Sequence, residues 1–182
     1  MYTADNKLDF QFLTVPPSQV GVTDVNLQSV TVKKDGTIIV GDVKRKVLTE
    51  HRPVDGALIR TFAVQTEPYY LAVDDKGRIV ISGGSKKVVV TDCDGVTLFT
   101  FNPGTNGKAF KYNRGACCNL AGFFVAIRND GFNTGHIHYY GWGGNFLCCV
   151  AQGLYNPRGI AVTAQGQLVV ADAESVKTYN SV

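Results

Sequence analysis

Asn156-Pro157-Arg158-Gly159-Ile160-Ala161-Val162 followed by Thr163-Ala164-Gln165-Gly166 and then Gln167-Leu168-Val169-Val170-Ala171-Asp172 is the stretch whose reading decides the fold. Two short apolar runs flank a polar turn that closes on glycine. Runs of this length, rich in β-branched residues and bounded by turn formers, read as strands rather than helices. The same unit recurs: Ser29-Val30-Thr31-Val32 to Gly36 to Thr37-Ile38-Ile39-Val40, and Leu71-Ala72-Val73 to Gly77 to Arg78-Ile79-Val80-Ile81. A degenerate copy runs from Ala116-Cys117-Cys118 to Gly122 to Phe123-Phe124-Val125-Ala126. The turn glycines 36, 77, 122 and 166 are spaced by 41, 45 and 44 residues, a period that belongs to propeller blades.

Each unit continues into a third β-rich segment: Lys46–Thr49, Lys87–Thr91, His136–Tyr140 and Val176–Tyr179. In three units a further glycine turn opens a fourth, at Gly56–Phe62, Gly95–Phe101 and Gly144–Val150. The pattern predicts an all-β chain, a propeller of about four four-stranded blades over 23–62, 67–102, 112–150 and 156–182, forming one domain across 1–182. The segment Leu8–Leu13, within 7–14, precedes the first unit; it is expected to complete the last blade or to pair with another copy, because an uncovered sheet edge invites aggregation. No segment shows sustained helical periodicity or helix-capping signals.

The chain has 182 residues, 45% of them hydrophobic and 18% charged, with a formal net charge of +3. That is enough for one domain with a real core, and the composition is that of a folded rather than a disordered chain. So small a net charge does not argue for nucleic acid; only the placement of the basic residues can. The N-terminus lacks a basic-then-apolar leader pattern, and no apolar run reaches the roughly 18 residues needed to span a bilayer. The five cysteines, 93, 117, 118, 148 and 149, contain no Cys-x-x-Cys spacing. They predict reduced thiols and a cytoplasmic location, each adjacent pair sending one sulfur to the core and one outward.

The segment 156–172, with its Pro-x-Gly-Ile-Ala-Val, turn and Val-Ala-Asp, resembles an NHL repeat, and Tyr70–Asp74 through Asp92-Cys93-Asp94-Gly95 is similar to a second copy. The resemblance implies a non-catalytic propeller of the kind found in tripartite-motif (TRIM-NHL) proteins. There the propeller recruits RNA or protein targets for a ubiquitin ligase whose RING, B-box and coiled coil precede it. Such domains have six blades and this chain shows four, so the ring either closes at four or stays open and pairs with a second copy as a homodimer.

In a propeller the loops from strand B to strand C, and from strand D to the next strand A, emerge at one end. Here the first set carries Lys44, Arg45, Lys86, Lys87 and Arg128; the second carries Tyr69, Tyr70, Lys108, Phe110, Lys111, Tyr112, Arg114, Tyr155, Asn156 and Arg158. Cations interleaved with rings suit single-stranded RNA, since cations meet phosphates while bases stack on aromatics. The candidate ligand-binding residues are Lys44, Arg45, Tyr70, Lys86, Lys87, Lys111, Tyr112, Arg114, Arg128, Tyr155 and Arg158. A protein or peptide ligand fits the same loops, and loop-end tyrosines also serve as blade plugs.

No catalytic residue, metal or cofactor is expected. Asp42, Asp130, Asp172 and Asn156 could line a channel metal site, but Asp at a strand end more often fixes a turn. His136 and His138 alternate on one strand face and lack further ligands, with His51 and the cysteines assigned to other blades. There is no nucleophile elbow and no phosphate-cradling loop. Trp142 reads as a plug between blades.

Overall fold

A computed structural model describes residues 11–83, 86–105 and 108–180. Four antiparallel sheets follow one another along the chain. The first blade comprises β1 (Leu27–Val32), β2 (Ile38–Asp42), β3 (Val47–His51) and β4 (Leu58–Ala63); the second, β5 (Tyr70–Val73), β6 (Ile79–Ser82), β7 (Val88–Thr91) and β8 (Thr97–Phe101). A small hairpin, β9 (Gly104–Thr105) and β10 (Lys108–Ala109), precedes the third blade. That blade holds β11 (Tyr112–Cys118), β12 (Gly122–Arg128), β13 (Gly135–Gly141) and β14 (Phe146–Leu154). The last sheet has three strands: β15 (Gly159–Val162), β16 (Leu168–Ala171) and β17 (Val176–Tyr179). This is the four-blade propeller arrangement that the repeat predicts.

The repeated turn works through backbone handedness. In the first, second and fourth units a three-residue loop closes between Lys33 and Thr37, Asp74 and Arg78, and Thr163 and Gln167. Its glycine sits at φ +88°, +80° and +80° respectively, a left-handed conformation that glycine adopts without steric penalty. The third unit departs from this. Asn119 N–H bonds to the Gly122 carbonyl, and Asn119 Oδ1 accepts from the Ala121 and Gly122 amides, so the loop is one residue shorter. Gly122 is instead required by close packing, since a Cβ there would lie 2.1 Å from the Tyr140 carbonyl oxygen.

The middle strands β6 and β7 are buried at every position. A strand apolar on both faces needs a covering layer on each side, and the neighbouring blades supply it. Three apolar clusters result. Ile39 and Leu48 of the first blade meet Leu71, Ile79, Ile81 and Val89 of the second. Val80, Val88 and Val90 of the second meet Phe123, Val125, Ile127 and Tyr140 of the third. Phe124, Ala126, Ile137 and Tyr139 of the third meet Leu168 and Val170 of the fourth. Consecutive residues thus feed different interfaces, Phe123 one way and Phe124 the other, as strand alternation dictates. Hydroxyls staple the seams: Ser29 Oγ donates to the Pro68 carbonyl at 2.5 Å, and Ser82 Oγ donates to the Arg114 carbonyl.

The innermost strands pack in the order β1, β5, β11, β15, with no comparable contact between β15 and β1 among the described residues. The arc is therefore open between the first and last blades. Of the segment 7–14, residues 7–10 lie outside the described residues, while 11–14 rest on the first blade, in no sheet. The Phe12 ring lies 4.6 Å from the His51 ring, and the Thr14 carbonyl accepts from Arg45. This described portion does not complete the last blade, because Phe12 packs on blade one against Gly56 and the His51 ring. Trp142 packs beside the second cluster with the Arg78 guanidinium 3.8 Å from its ring centroid, in keeping with a plug.

Phe123→Ala, at a side chain with no exposed surface, is expected to cost about 3–5 kcal/mol of stability. Val176→Ala, at a residue 70% exposed, is expected to stay within about 0.5 kcal/mol. Urea unfolding of the two variants checks both.

Candidate nucleic-acid interface

Strand direction collects the candidate residues at one end. β2, β6 and β12 finish at Asp42, Ser82 and Arg128, while β5, β11 and β15 begin at Tyr70, Tyr112 and Gly159. Lys44, Arg45, Lys86, Lys87, Lys111, Tyr155 and Arg158 lie in the loops between. At the heads of the innermost strands, Ser29, Tyr70, Gly115 and Arg158 line a cleft of about 390 Å³.

The basic residues are not equivalent. Around the first blade they are matched by acids: Lys44 Nζ lies 3.2 Å from Asp24, Arg45 Nε 2.5 Å from Asp42 and Lys46 Nζ 2.7 Å from Glu67. Arg45 is a structural residue here. Asp42 is wholly buried and accepts from the amides of Asn26, Lys44 and Arg45 as well as from the Arg45 side chain. Burial pushes its carboxyl up, but these donors outweigh that and hold it below the usual carboxylate range. Asp172 repeats the device in the fourth blade, accepting from the Glu174 and Ser175 amides and pairing with Lys177, whose bond holds it well below the ordinary value. These two aspartates are turn locks, as the sequence reading expects.

On the third and fourth blades the balance changes. Tyr112 stands among three cations, with Arg128 at 4.7 Å, Arg114 at 5.3 Å and Lys111 at 5.4 Å from the ring centroid. Attraction to the ring's electron-rich face gathers these like charges. Lys111 pairs with Asp130, and that bond raises the lysine and lowers the carboxyl from their ordinary values. Among the described residues no carboxylate pairs with Arg114, Arg128, Arg158 or Lys86. The Nε atoms of Arg114 and Arg128 are buried without a hydrogen-bond partner in the structure.

Tyr155 stacks on Phe132, with centroids 4.9 Å apart and planes 27° apart. Phe132 is 76% exposed. The sequence reading omits it; an aromatic embedded in Asn129-Asp130-Gly131-Phe132-Asn133 is the signal that points to it. Phe110, counted among the loop aromatics, is instead 4% exposed and packs in the core of the second seam. Lys86 and Lys87 are exposed at the second blade, and Tyr70 is half-buried at the head of β5.

The structure corrects one step of the metal reading. Cys149 belongs to the same blade as His136 and His138, directly opposite His138 in the β13–β14 pairing, so the cysteines do not all lie elsewhere. His51 does lie apart, in the first blade, with its ring nitrogens at Gly56 O and Thr49 Oγ1. Burial holds His136 below its ordinary value and His138 lower still, at about 4.

Residues 154–177 match the family described as "NHL repeat". No curated protein matches the chain. Among solved structures, hydrazine synthase of Kuenenia stuttgartiensis is similar at TM-score 0.66 and 17% identity, over 86% of this chain and 46% of that one. The computationally designed Ika4 protein is similar at TM-score 0.65 and 13% identity, over 88% of this chain and 94% of that one. Sqt1 of Saccharomyces cerevisiae gives TM-score 0.65 at 10% identity, over 92% of this chain and 49% of that one. The chain thus spans about half the length of hydrazine synthase and of Sqt1. Likeness at these identities speaks for the propeller fold alone. Among the described residues no helix is long and apolar enough to cross a membrane.

Asp42→Ala, which strips the partner from Arg45 and three amides, is expected to lower stability by about 1.5–3 kcal/mol. A thermal unfolding comparison with the parent chain tests the turn-lock role.

Proposed function

We propose that the end of the propeller formed by blades two to four binds single-stranded RNA. The observation that carries this reading is the concentration there, around aromatic rings, of arginines that have no carboxylate partner among the described residues. Arg114 and Arg128 flank Tyr112, Arg158 guards the cleft, and Phe132 with Tyr155 offers an exposed ring face. Phosphates neutralise the guanidinium groups while unpaired bases stack on the rings, and neither contact demands a particular sequence. Of the residues read from the sequence, Arg45 serves the fold, Lys44 is matched by Asp24 and Lys111 by Asp130. The binding set proposed is Tyr70, Lys86, Lys87, Tyr112, Arg114, Arg128, Tyr155 and Arg158, with Phe132 added.

Titration with a randomised single-stranded RNA pool tests this. If Lys86, Arg114, Arg128 and Arg158 each meet a phosphate, log K falls against log salt with a slope of about −3. Phe132→Ala is expected to cost about 1–3 kcal/mol of binding. Arg158→Glu should weaken binding and flatten the salt dependence, with the melting temperature unchanged because its side chain is exposed. Salt-indifferent binding, or full affinity in both variants, refutes the reading.

A second reading, self-association, is favoured by a separate observation. At the open end of the arc, β1 exposes Leu27, Val30 and Val32, the last two at 64% and 55%. Apolar strand residues left uncovered at a sheet edge favour association. Light scattering over a concentration series should then show a dimer that Val32→Arg dissolves without loss of RNA binding. A strict monomer at all concentrations removes this reading.

A further inference from the structure

The third blade carries a cluster that the RNA-binding reading does not use. His136 and His138 occupy alternate positions of β13 and so share a face. On β14 the register slips: Ile137 pairs with Ala151, yet His138 pairs with Cys149, leaving Val150 as the extra residue of a bulge. Without that bulge, Val150 would stand opposite His138. The bulge thus swings the Cys149 thiol onto the histidine face, and bulges are often found re-aiming side chains next to functional sites.

The ligand atoms of His136, His138 and Cys149 all lie within 4.8 Å of one another. Cys149 Sγ is 3.7 Å from His136 Nδ1. A tetrahedral ion holding nitrogen at about 2.0–2.1 Å and sulfur at about 2.3 Å sets those two atoms about 3.6 Å apart. The surroundings are those of a built site. His138 is 1% exposed, and its Nδ1 lies 3.1 Å from the Tyr140 hydroxyl, which holds one edge of the ring while Nε2 is the other nitrogen. Oriented imidazoles of this kind are typical of metal ligands. The Phe110 and Phe146 rings wall the pair, with Phe110 centroids 5.0 and 5.4 Å from His136 and His138 and Phe146 4.9 Å from His138. Cys149 is exposed and His136 half-buried, so an ion reaches the cluster from solvent.

We propose that His136, His138 and Cys149 form a three-ligand site for a divalent transition-metal ion of the zinc class, with the fourth position open to water. Two imidazoles and a thiolate are borderline-to-soft donors that favour zinc or cobalt over magnesium or calcium. Binding releases the thiol proton to solvent as the thiolate coordinates. Cys148 faces the other way, packed against the Phe124–Tyr139 cluster, and takes no part.

The test is titration of the intact, reduced chain with Co²⁺ alone in the absence of oxygen. One equivalent should produce the thiolate-to-cobalt charge-transfer band in the near ultraviolet together with the intense visible bands of tetrahedral cobalt, and Zn²⁺ should displace both. Cys149→Ser, at an exposed position, should abolish the charge-transfer band, and Cys148→Ser should leave it. Tyr140→Phe should keep the band but weaken affinity about 10- to 100-fold, the usual effect of losing an outer-shell partner. His136→Asn should lose tetrahedral cobalt while thermal unfolding shows the fold retained. No charge-transfer band in the parent chain, or a band that survives Cys149→Ser, overturns the assignment.

Discussion

Everything in this propeller depends on strands that are apolar on both faces. Val88, Val89 and Val90 are each at most 1% exposed, and no two-layer packing buries consecutive residues of one strand unless a sheet lies on either side. Blade must therefore stack on blade. Three seams follow from four blades, and each terminal blade keeps one face without a neighbouring blade. On the first blade Phe12 covers part of that face, while β1 leaves Val30 and Val32 in solvent. The exposed valines are thus the consequence of an arc whose ends do not meet.

The same geometry sorts the charges. The loops at one end of the arc carry cations on every blade, but acids are distributed unevenly. Asp24, Asp42 and Glu67 neutralise the first blade, and Asp130 neutralises Lys111. What remains, among the described residues, is a pair of arginines beside the Tyr112 ring that no carboxylate meets in an ion pair. Cation–π contacts let guanidinium groups crowd without cancelling their charge, which is how a chain of small net charge presents a locally cationic surface. The stacked Phe132–Tyr155 pair lies at this same end. Charge and stacking surface coincide because β12, β14 and β15 all turn there.

The sites of blades one and three also show how similar residue types serve different ends. His51 is buried, with Thr49 and Gly56 taking up its nitrogens. His138 is as deeply buried, yet one ring edge meets Tyr140 and a thiol stands across the strand pair. The shifted register of β14 against β13, with Val150 left out of the pairing beside His138, makes that difference. Bulges change which side chains share a face without changing which strands pair.

The sequence by itself determined the repeat, the blade order and the turn chemistry, because these rest on short-range rules: side-chain alternation, left-handed glycines at 36, 77 and 166, and aspartates such as Asp42 and Asp172 that bind their own loop amides. It identified the loop end that gathers Tyr112, Arg114, Arg128 and Arg158, since strand direction follows from counting strands. Only the tertiary structure decided which cations are cancelled, because Lys44 meets Asp24 and Lys111 meets Asp130 across turns whose path no periodicity encodes. It also decided that β15 and β1 stay apart, that Phe110 turns inward, and that Cys149 faces His138. Those outcomes depend on register and on the packing of distant side chains, quantities that a local pattern of apolar and polar residues does not contain.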